Sequence, residues 1–362
     1  MNKIKKICIL SSGLAVGGAE RFSINLAKSI TDQNIEVDLI IINKNNASLK
    51  VSNKINIIDL NISKSRYAIF KIINYVYTNK PNIFISTQNY LNIIAFISSL
   101  FCKKTRFLLR EANDPTKNYI YKNPIKNIIF FYLTKLTYIY ADILISPSKG
   151  VMHNLKKFYN LKRKIHVINN MVDKEKIQIE SNENIDNYKI LFQLPCVVNI
   201  GRLEKQKNHE LLINAFKDVL DNFKCNLIII GNGTLKKDLQ QKIQNLNIEK
   251  NVHILSNISN PYPFLKKSKV FVLSSNFEGF PNSLLEALSL GVKVISTNCE
   301  SGPSEILENG KYGTLVETNN KQMLSSAIIN SLNNNENKKL TNEIYNKYDK
   351  IKISKEYISL IE

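Results

Sequence analysis

No two of the five cysteines, Cys8, Cys102, Cys196, Cys225 and Cys299, stand in Cys-x-x-Cys spacing, and their number is odd. That excludes a disulfide framework or a zinc ribbon and points to a reducing compartment. Long apolar runs are missing as well. LNIIAFISSLF, Leu91 to Phe101, falls well short of the ~20 residues that span a bilayer, so no transmembrane helix is expected. The N-terminal MNKIKKICIL has the basic residues of a signal peptide, but Ser11-Ser12-Gly13 cuts its apolar stretch short, and it reads as a first strand. Acidic residues are scarce in one half. Residues 1–180 carry 28 Lys/Arg against 11 Asp/Glu, a net +17, whereas residues 181–362 carry 22 against 19, a net +3. Codon bias would raise lysine in both halves alike, so the imbalance points to a polyanionic partner of the first half, a membrane surface or nucleic acid.

What is present is the composition of a soluble globular protein, 44% hydrophobic and 22% charged, with 362 residues, enough for two domains. Short β-branched runs alternate with helical patterns throughout. The strands are IKKICILSS, EVDLIII, NIFIST, TRFLLR, DILISPS and KIHVI, then PCVVNIG, CNLIIIG, VHIL, KVFVLSS, VKVIST and GTLV. Segments such as AERFSINLAKSI, NHELLINAFKDVL and TLKKDLQQKIQNL read as helices between them. The fold class is α/β, two Rossmann-like units of about six parallel strands each. The polar, turn-rich stretch at residues 175–189 reads as the boundary, giving domains 1–180 and 188–340. A Lys/Asn-rich helical tail follows from Asn333, and its helix at about 345–362 is expected to pack back on the first domain.

Ligands of open parallel sheets bind beyond the carboxyl ends of the strands, and three motifs fall there. SSGLAVGGAERF places Gly17 and Gly18 before a helix, where backbone N–H groups can approach an anion. GRLEKQKN places Arg202 and Lys207 after a strand, a guanidinium fork and a movable ammonium suited to neighbouring phosphates. NFEGFPNSLLEALSLG sets Glu278 in a loop and Glu286 on a helix opened by Asn282, Ser283 and Leu284, whose N–H groups can serve the same diphosphate. Each also has a plain structural reading. Gly17-Gly18 can be a simple turn, GRLEKQKN a solvated basic loop, and Ser283-x-x-Glu286 a capping box with Gly291 as a left-handed stop. Glu278 has no structural duty visible in the sequence. Taken together, two cations, a helix N-terminus, a glycine turn and two hydroxyl-binding carboxylates describe a nucleotide-sugar site between two domains.

GGAER, GRLEKQKN and EGFPNSLLEALSLGVKVISTNCESGPSEI together resemble the retaining glycosyltransferases of GT-B fold, glycosyltransferase family 4, over nearly the whole chain. Especially similar are bacterial members that build surface polysaccharide, lipopolysaccharide cores and lipid-linked oligosaccharides. The resemblance implies two Rossmann-like domains facing across a cleft, with Arg202 and Lys207 on the donor diphosphate and Glu286 on the ribose hydroxyls. It also implies Glu278 beside the donor sugar and Gly17-Gly18 near the phosphate and acceptor. Two departures stand out. Many relatives carry histidine after the fourth strand, where this chain has Gln88 and Asn89, and Ser256 replaces a common glycine. The four histidines, His153, His166, His209 and His253, read as structural.

The reaction so implied is transfer of a hexose or N-acetylhexosamine from a nucleotide sugar, a UDP-sugar foremost, to a saccharide acceptor that is expected to be lipid-linked. No cofactor and no metal are expected, since no Asp-x-Asp pair closes a strand and cationic side chains can stabilise the leaving diphosphate. The +17 half and YKNPIKNIIFFYLTKLTYIY, with Lys122, Lys126 and Lys135, point to peripheral attachment at an anionic membrane on its cytoplasmic face; the alternative is a core helix with a solvated basic face. A non-catalytic sugar-nucleotide-binding subunit would keep the same motifs. A nucleic-acid binder is disfavoured, because no RNP, helix-turn-helix or zinc pattern and no aromatic stacking platform is visible.

Overall fold

The computed structural model describes residues 5–14, 17–44, 49, 51–62, 67–117, 123–334 and 341–360. Lys122 and part of the tail after Asn333 lie outside them. Two compact units are present, Met1–Met171 with Tyr348–Glu362, and Val172–Lys347.

The first unit is built on β1 (Lys6–Ser11), β2 (Glu36–Ile41), β3 (Asn56–Asp59), β4 (Ile83–Ser86), β5 (Arg106–Arg110), β6 (Ile143–Ser146) and β7 (His166–Val167). They form one parallel sheet in the order β3-β2-β1-β4-β5-β6-β7. The crossovers carry α1 (Gly18–Thr31), α2 (Ala68–Asn79), α3 (Asn89–Ser99), α4 (Pro124–Tyr140) and α5 (Lys149–Tyr159). The strands are continuously apolar because both faces are covered. Cys8 and Leu10 of β1 enter one core with Ile40, Phe84 and Phe107, while Ile7 and Ile9 enter the opposite core with Leu39, Ile83 and Leu108. β3 was not visible in the sequence. It is an edge strand whose residues are exposed or half-buried, so NIID lacks the apolar run that marks the others.

In the second unit, α6 (Lys174–Glu180) leads to β8 (Cys196–Ile200), α7 (His209–Leu220), β9 (Asn226–Ile230), α8 (Lys236–Asn245), β10 (Val252–Leu255), α9 (Tyr262–Lys267) and β11 (Val270–Leu273). Then come α10 (Asn282–Ser289), β12 (Lys293–Thr297), α11 (Pro303–Ile306), β13 (Thr314–Val316), α12 (Lys321–Asn333) and α13 (Thr341–Lys347). The six strands run parallel in the order β10-β9-β8-β11-β12-β13. Residues 175–189 are not a bare linker: α6 is capped by Asp173, which accepts from Lys176 N at 3.2 Å, and a 3-10 turn covers Asp186–Phe192. The cap and the buried Ile177 order a segment whose polar composition reads as loop.

The last helix, α14 (Lys350–Ser359), belongs to the first unit. Its Ile353 and Tyr357 join the core of Phe22 and Leu26, and the Ser29 hydroxyl donates to Lys350 O at 2.7 Å. Among the described residues no helix is long and apolar enough to cross a membrane.

Candidate active site

Each sheet reverses its winding once, between β1 and β4 in the first unit and between β8 and β11 in the second. Beyond the carboxyl ends of such a strand pair the connections part and leave a crevice. The second unit places most of its sequence-selected residues there. Lys207 Nζ lies 2.5 Å from Glu278 Oε1, and the Ser275 hydroxyl donates to the same oxygen at 2.6 Å. The lysine stem runs over Gly201, where a Cβ would stand 3.2 Å from its Cγ and Cδ. The two loops are stitched together around this pair. Asn276 N donates to Gln206 O at 2.8 Å, Gln206 Nε2 to Phe277 O at 3.0 Å, and the Ser274 hydroxyl to Lys207 O at 2.9 Å. Arg202 is exposed, with its guanidinium 3.1 Å from Gln206 Oε1.

Glu278 therefore does have a structural duty. It is buried, and it neutralises a lysine whose side chain is only 14% exposed. The sequence hid this because the pair joins residues 71 positions apart.

The capping box at Ser283 and Glu286 does not form. Pro281 is the N-cap of α10, with φ −71, and no side chain caps the helix. Ser283 is thus already inside the first turn, and Glu286 lies on the second, beyond reach of the N-cap. Instead Glu286 accepts from the Tyr262 hydroxyl at 3.1 Å, and Tyr262 is 5% exposed. Asn282, Ser283 and Leu284 make up the first turn of α10. Gly302, at φ +91, lets the 299–303 loop press on this turn: a Cβ there would meet Pro281 Cδ at 2.8 Å. The Ser301 hydroxyl donates to Glu278 O at 2.7 Å. Gly291 takes the left-handed conformation past the helix end, φ 73.

His209, at the start of α7, is buried beneath Lys207. Asn199 Nδ2 donates to Val272 O at 2.8 Å, so its Oδ1 accepts from His209 Nε2 at 3.0 Å, which fixes the tautomer. Burial, with the Lys207 charge added, pushes the imidazole down to about 4. Ser256, which stands where relatives carry glycine, donates to Gly231 O at 3.4 Å.

In the first unit the sequence singled out Gly17 and Gly18 as an anion cradle. Gly17 is the extended N-cap of α1, but the space above it holds a carboxylate: a Cβ on Gly17 would lie 2.1 Å from Glu20 Oε2. Glu20 Oε1 accepts from the Ser12 hydroxyl at 2.5 Å and from Gln88 Nε2 at 2.8 Å. Gln88 and Asn89, noted only as departures from a histidine, separate in role. Asn89 turns inward and donates to Glu111 Oε2 at 2.8 Å, beside the Tyr138 hydroxyl that bonds the same oxygen. Burial pushes the Glu111 carboxyl up, against the pull of Tyr138, Asn89 and two backbone N–H groups. Sequence reasoning missed Ser12, Glu20, Ser275 and Tyr262 as site residues. Glu20 alone had a local signal, its place in GGAER.

Known proteins share the sequence patterns and the fold of this chain. Residues 180–350 match the family "Glycosyl transferases group 1", and residues 16–176 match "Glycosyltransferase Family 4". The chain is 30% identical, over 79% of its own length and 75% of the relative's, to the N-acetylgalactosamine-N,N'-diacetylbacillosaminyl-diphospho-undecaprenol 4-alpha-N-acetylgalactosaminyltransferase of Campylobacter jejuni. It is 26% identical to a second Campylobacter jejuni enzyme, a GalNAc-alpha-(1->4)-GalNAc-alpha-(1->3)-diNAcBac-PP-undecaprenol alpha-1,4-N-acetyl-D-galactosaminyltransferase, over 78% of this chain and 76% of that one. The crystal structure of Anabaena HepE in complex with UDP and glucose superposes with a TM-score of 0.80 over 99% of both chains, at 16% identity, and shares the GT-B fold. The chain belongs to the glycosyltransferases of group 1, family 4.

Proposed function

We propose that this glycosyltransferase moves a hexose or N-acetylhexosamine from a UDP-sugar to the saccharide of a lipid-linked acceptor, with retention, at an anionic membrane surface. The observation that carries the donor half is the Lys207–Glu278 pair at the switch point of the second sheet, with Arg202 exposed beside it. A diphosphate entering there meets Arg202, Lys207 and the first-turn N–H groups of α10, three sources of positive potential directed at one place. Glu286, held by Tyr262, then faces ribose hydroxyls, and Glu278 a hydroxyl of the donor sugar. As the bond from sugar C1 to the β-phosphate oxygen breaks, the new bond forms from C1 to the acceptor oxygen. The acceptor proton passes to the departing phosphate, and the cations hold the UDP so released. No metal takes part in this reading, so chelators leave turnover unchanged.

The acceptor half rests on the relatives. Both Campylobacter enzymes are named for diphospho-undecaprenol substrates and alpha linkages, and a UDP-α-sugar gives an alpha linkage only with retention. HepE, of the same fold, holds UDP and glucose. The membrane reading is supported by α4. Its Ile125, Ile128, Ile129, Tyr132, Leu136 and Tyr140 are 47–68% exposed, whereas Thr134, Thr137 and Tyr138 face inward. In favour of this reading over an ordinary core helix with a solvated basic face, the apolar stripe of α4 is the outer one. Lys126 on the same helix and the +17 of residues 1–180 supply attraction to anionic lipid. A thermal-shift screen of UDP-, GDP- and ADP-sugars, followed by UDP release with a diphospho-polyprenyl saccharide, tests the proposal. Stabilisation by none of the donors refutes it.

A further inference from the structure

In the donor site as proposed above, Lys207 meets a phosphate and Glu278 a sugar hydroxyl, yet the two side chains also bind each other, Nζ 2.5 Å from Oε1. Resting on that glycosyltransferase reading, we propose that Glu278 competes with the nucleotide's diphosphate for Lys207. The competition makes the site favour the intact nucleotide sugar over the nucleoside diphosphate left after transfer.

The carboxylate is the fixed member of the pair. The Ser275 hydroxyl donates to its Oε1 at 2.6 Å, the Ser301 hydroxyl to Glu278 O at 2.7 Å, and the Thr297 hydroxyl to Ser275 O at 2.6 Å. Glu278 is buried, so its charge sits where water screens little. The lysine is the member that can turn. Its ammonium is a point charge with several donors on a flexible stem, which lies here across Gly201. A phosphate that takes one of those donors comes within two hydrogen bonds of the carboxylate, and the two anions repel. An intact nucleotide sugar offsets this repulsion. Both side-chain donors to the carboxylate arrive at Oε1, which leaves Oε2 to accept from a sugar hydroxyl. The β-phosphate of the nucleotide sugar is also a diester with a single charge. After transfer the hydroxyl has left with the sugar, and the terminal phosphate of the released diphosphate carries about 1.5 to 2 charges at pH 7. Repulsion grows and its compensation is lost in the same turnover, so Glu278 reclaims Lys207 and the product leaves.

Calorimetric titration of the full chain with UDP and with UDP-N-acetylgalactosamine tests this in Glu278→Gln, Glu278→Ala and Glu278→Asp. The two neutral variants should bind UDP about ten-fold or more tightly than the wild type, the scale of removing a like charge beside a phosphate contact. They should bind the nucleotide sugar no more tightly, because a hydroxyl acceptor is lost along with the charge. Glu278→Asp keeps the charge and should not tighten UDP. Two neutral variants guard against misfolding of either one, and the UDP arm decides for any donor sugar. UDP affinity unchanged or weakened in the neutral variants, or tightened as much by Glu278→Asp, overturns the competition and leaves Glu278 as a structural partner of Lys207. Equal tightening of both ligands overturns the preference for the intact donor. A wild type that binds no UDP refutes the parent reading rather than this one.

Discussion

Lys207 and Glu278 form a nearly closed ion pair, 2.5 Å from nitrogen to oxygen, with side chains 14% and 6% exposed. Removing one partner strands the other in a place with little water. Lys207→Ala should therefore cost about 3–5 kcal/mol of stability as well as transfer activity. The double variant Lys207→Ala/Glu278→Ala should recover most of the stability and none of the activity. Urea melts beside turnover assays separate the two effects; a double variant no more stable than the single one contradicts the pair's role.

Glu286 accepts a hydrogen bond from the Tyr262 phenol. Tyr262→Phe should raise the KM for the nucleotide sugar about 10-fold or more, the scale of a hydrogen bond to a charged group, with kcat little changed. The same variant should discriminate less between UDP and 2′-deoxy-UDP. Unaltered discrimination would show that Tyr262 serves packing alone.

His209 ties stability to pH. Its folded value of about 4 lies below the ordinary 6.5, because burial and then Lys207 disfavour the charged ring. A depressed value means that the contribution is fully present above pH 6.5 and is lost as pH falls towards 4. The loss amounts to about 3 kcal/mol over that window. His209→Gln keeps a donor for Asn199 and should flatten the dependence between pH 6.5 and 4 in denaturant titrations. A wild-type slope unchanged in the variant would assign the effect elsewhere.

Vesicle sedimentation should show binding that rises with anionic lipid and weakens with salt, yet persists in part at high salt because α4 offers an apolar face as well as charge. Ile129→Ser with Leu136→Ser should abolish the salt-resistant fraction without lowering the melting temperature, since both side chains are exposed. Complete loss of wild-type binding at high salt would leave only electrostatic adsorption.

The alternation of strands and helices was legible because buried parallel strands write continuous apolar runs, as Ile7 to Leu10 and Leu227 to Ile230 do. β3 was not, since an edge strand half in solvent carries no such run. GRLEKQKN and the Glu278–Glu286 stretch could be picked out because a strand end followed by charged residues is a local pattern. Their pairing could not, since Lys207 with Glu278 and Tyr262 with Glu286 are contacts made by the sheet's winding. The capping box misled for a local reason: Pro281 starts the helix too early for Ser283 to cap it.

The central claim is that the switch point of the second sheet takes the donor's diphosphate. Calorimetric titration of the full chain with uridine, UMP and UDP tests it most directly. Affinity should rise at each added phosphate in the wild type, and Arg202→Ala or Lys207→Ala should remove the gain from UMP to UDP while leaving uridine binding as it was. Uridine binding as tightly as UDP, or a gain that survives both substitutions, would contradict the account.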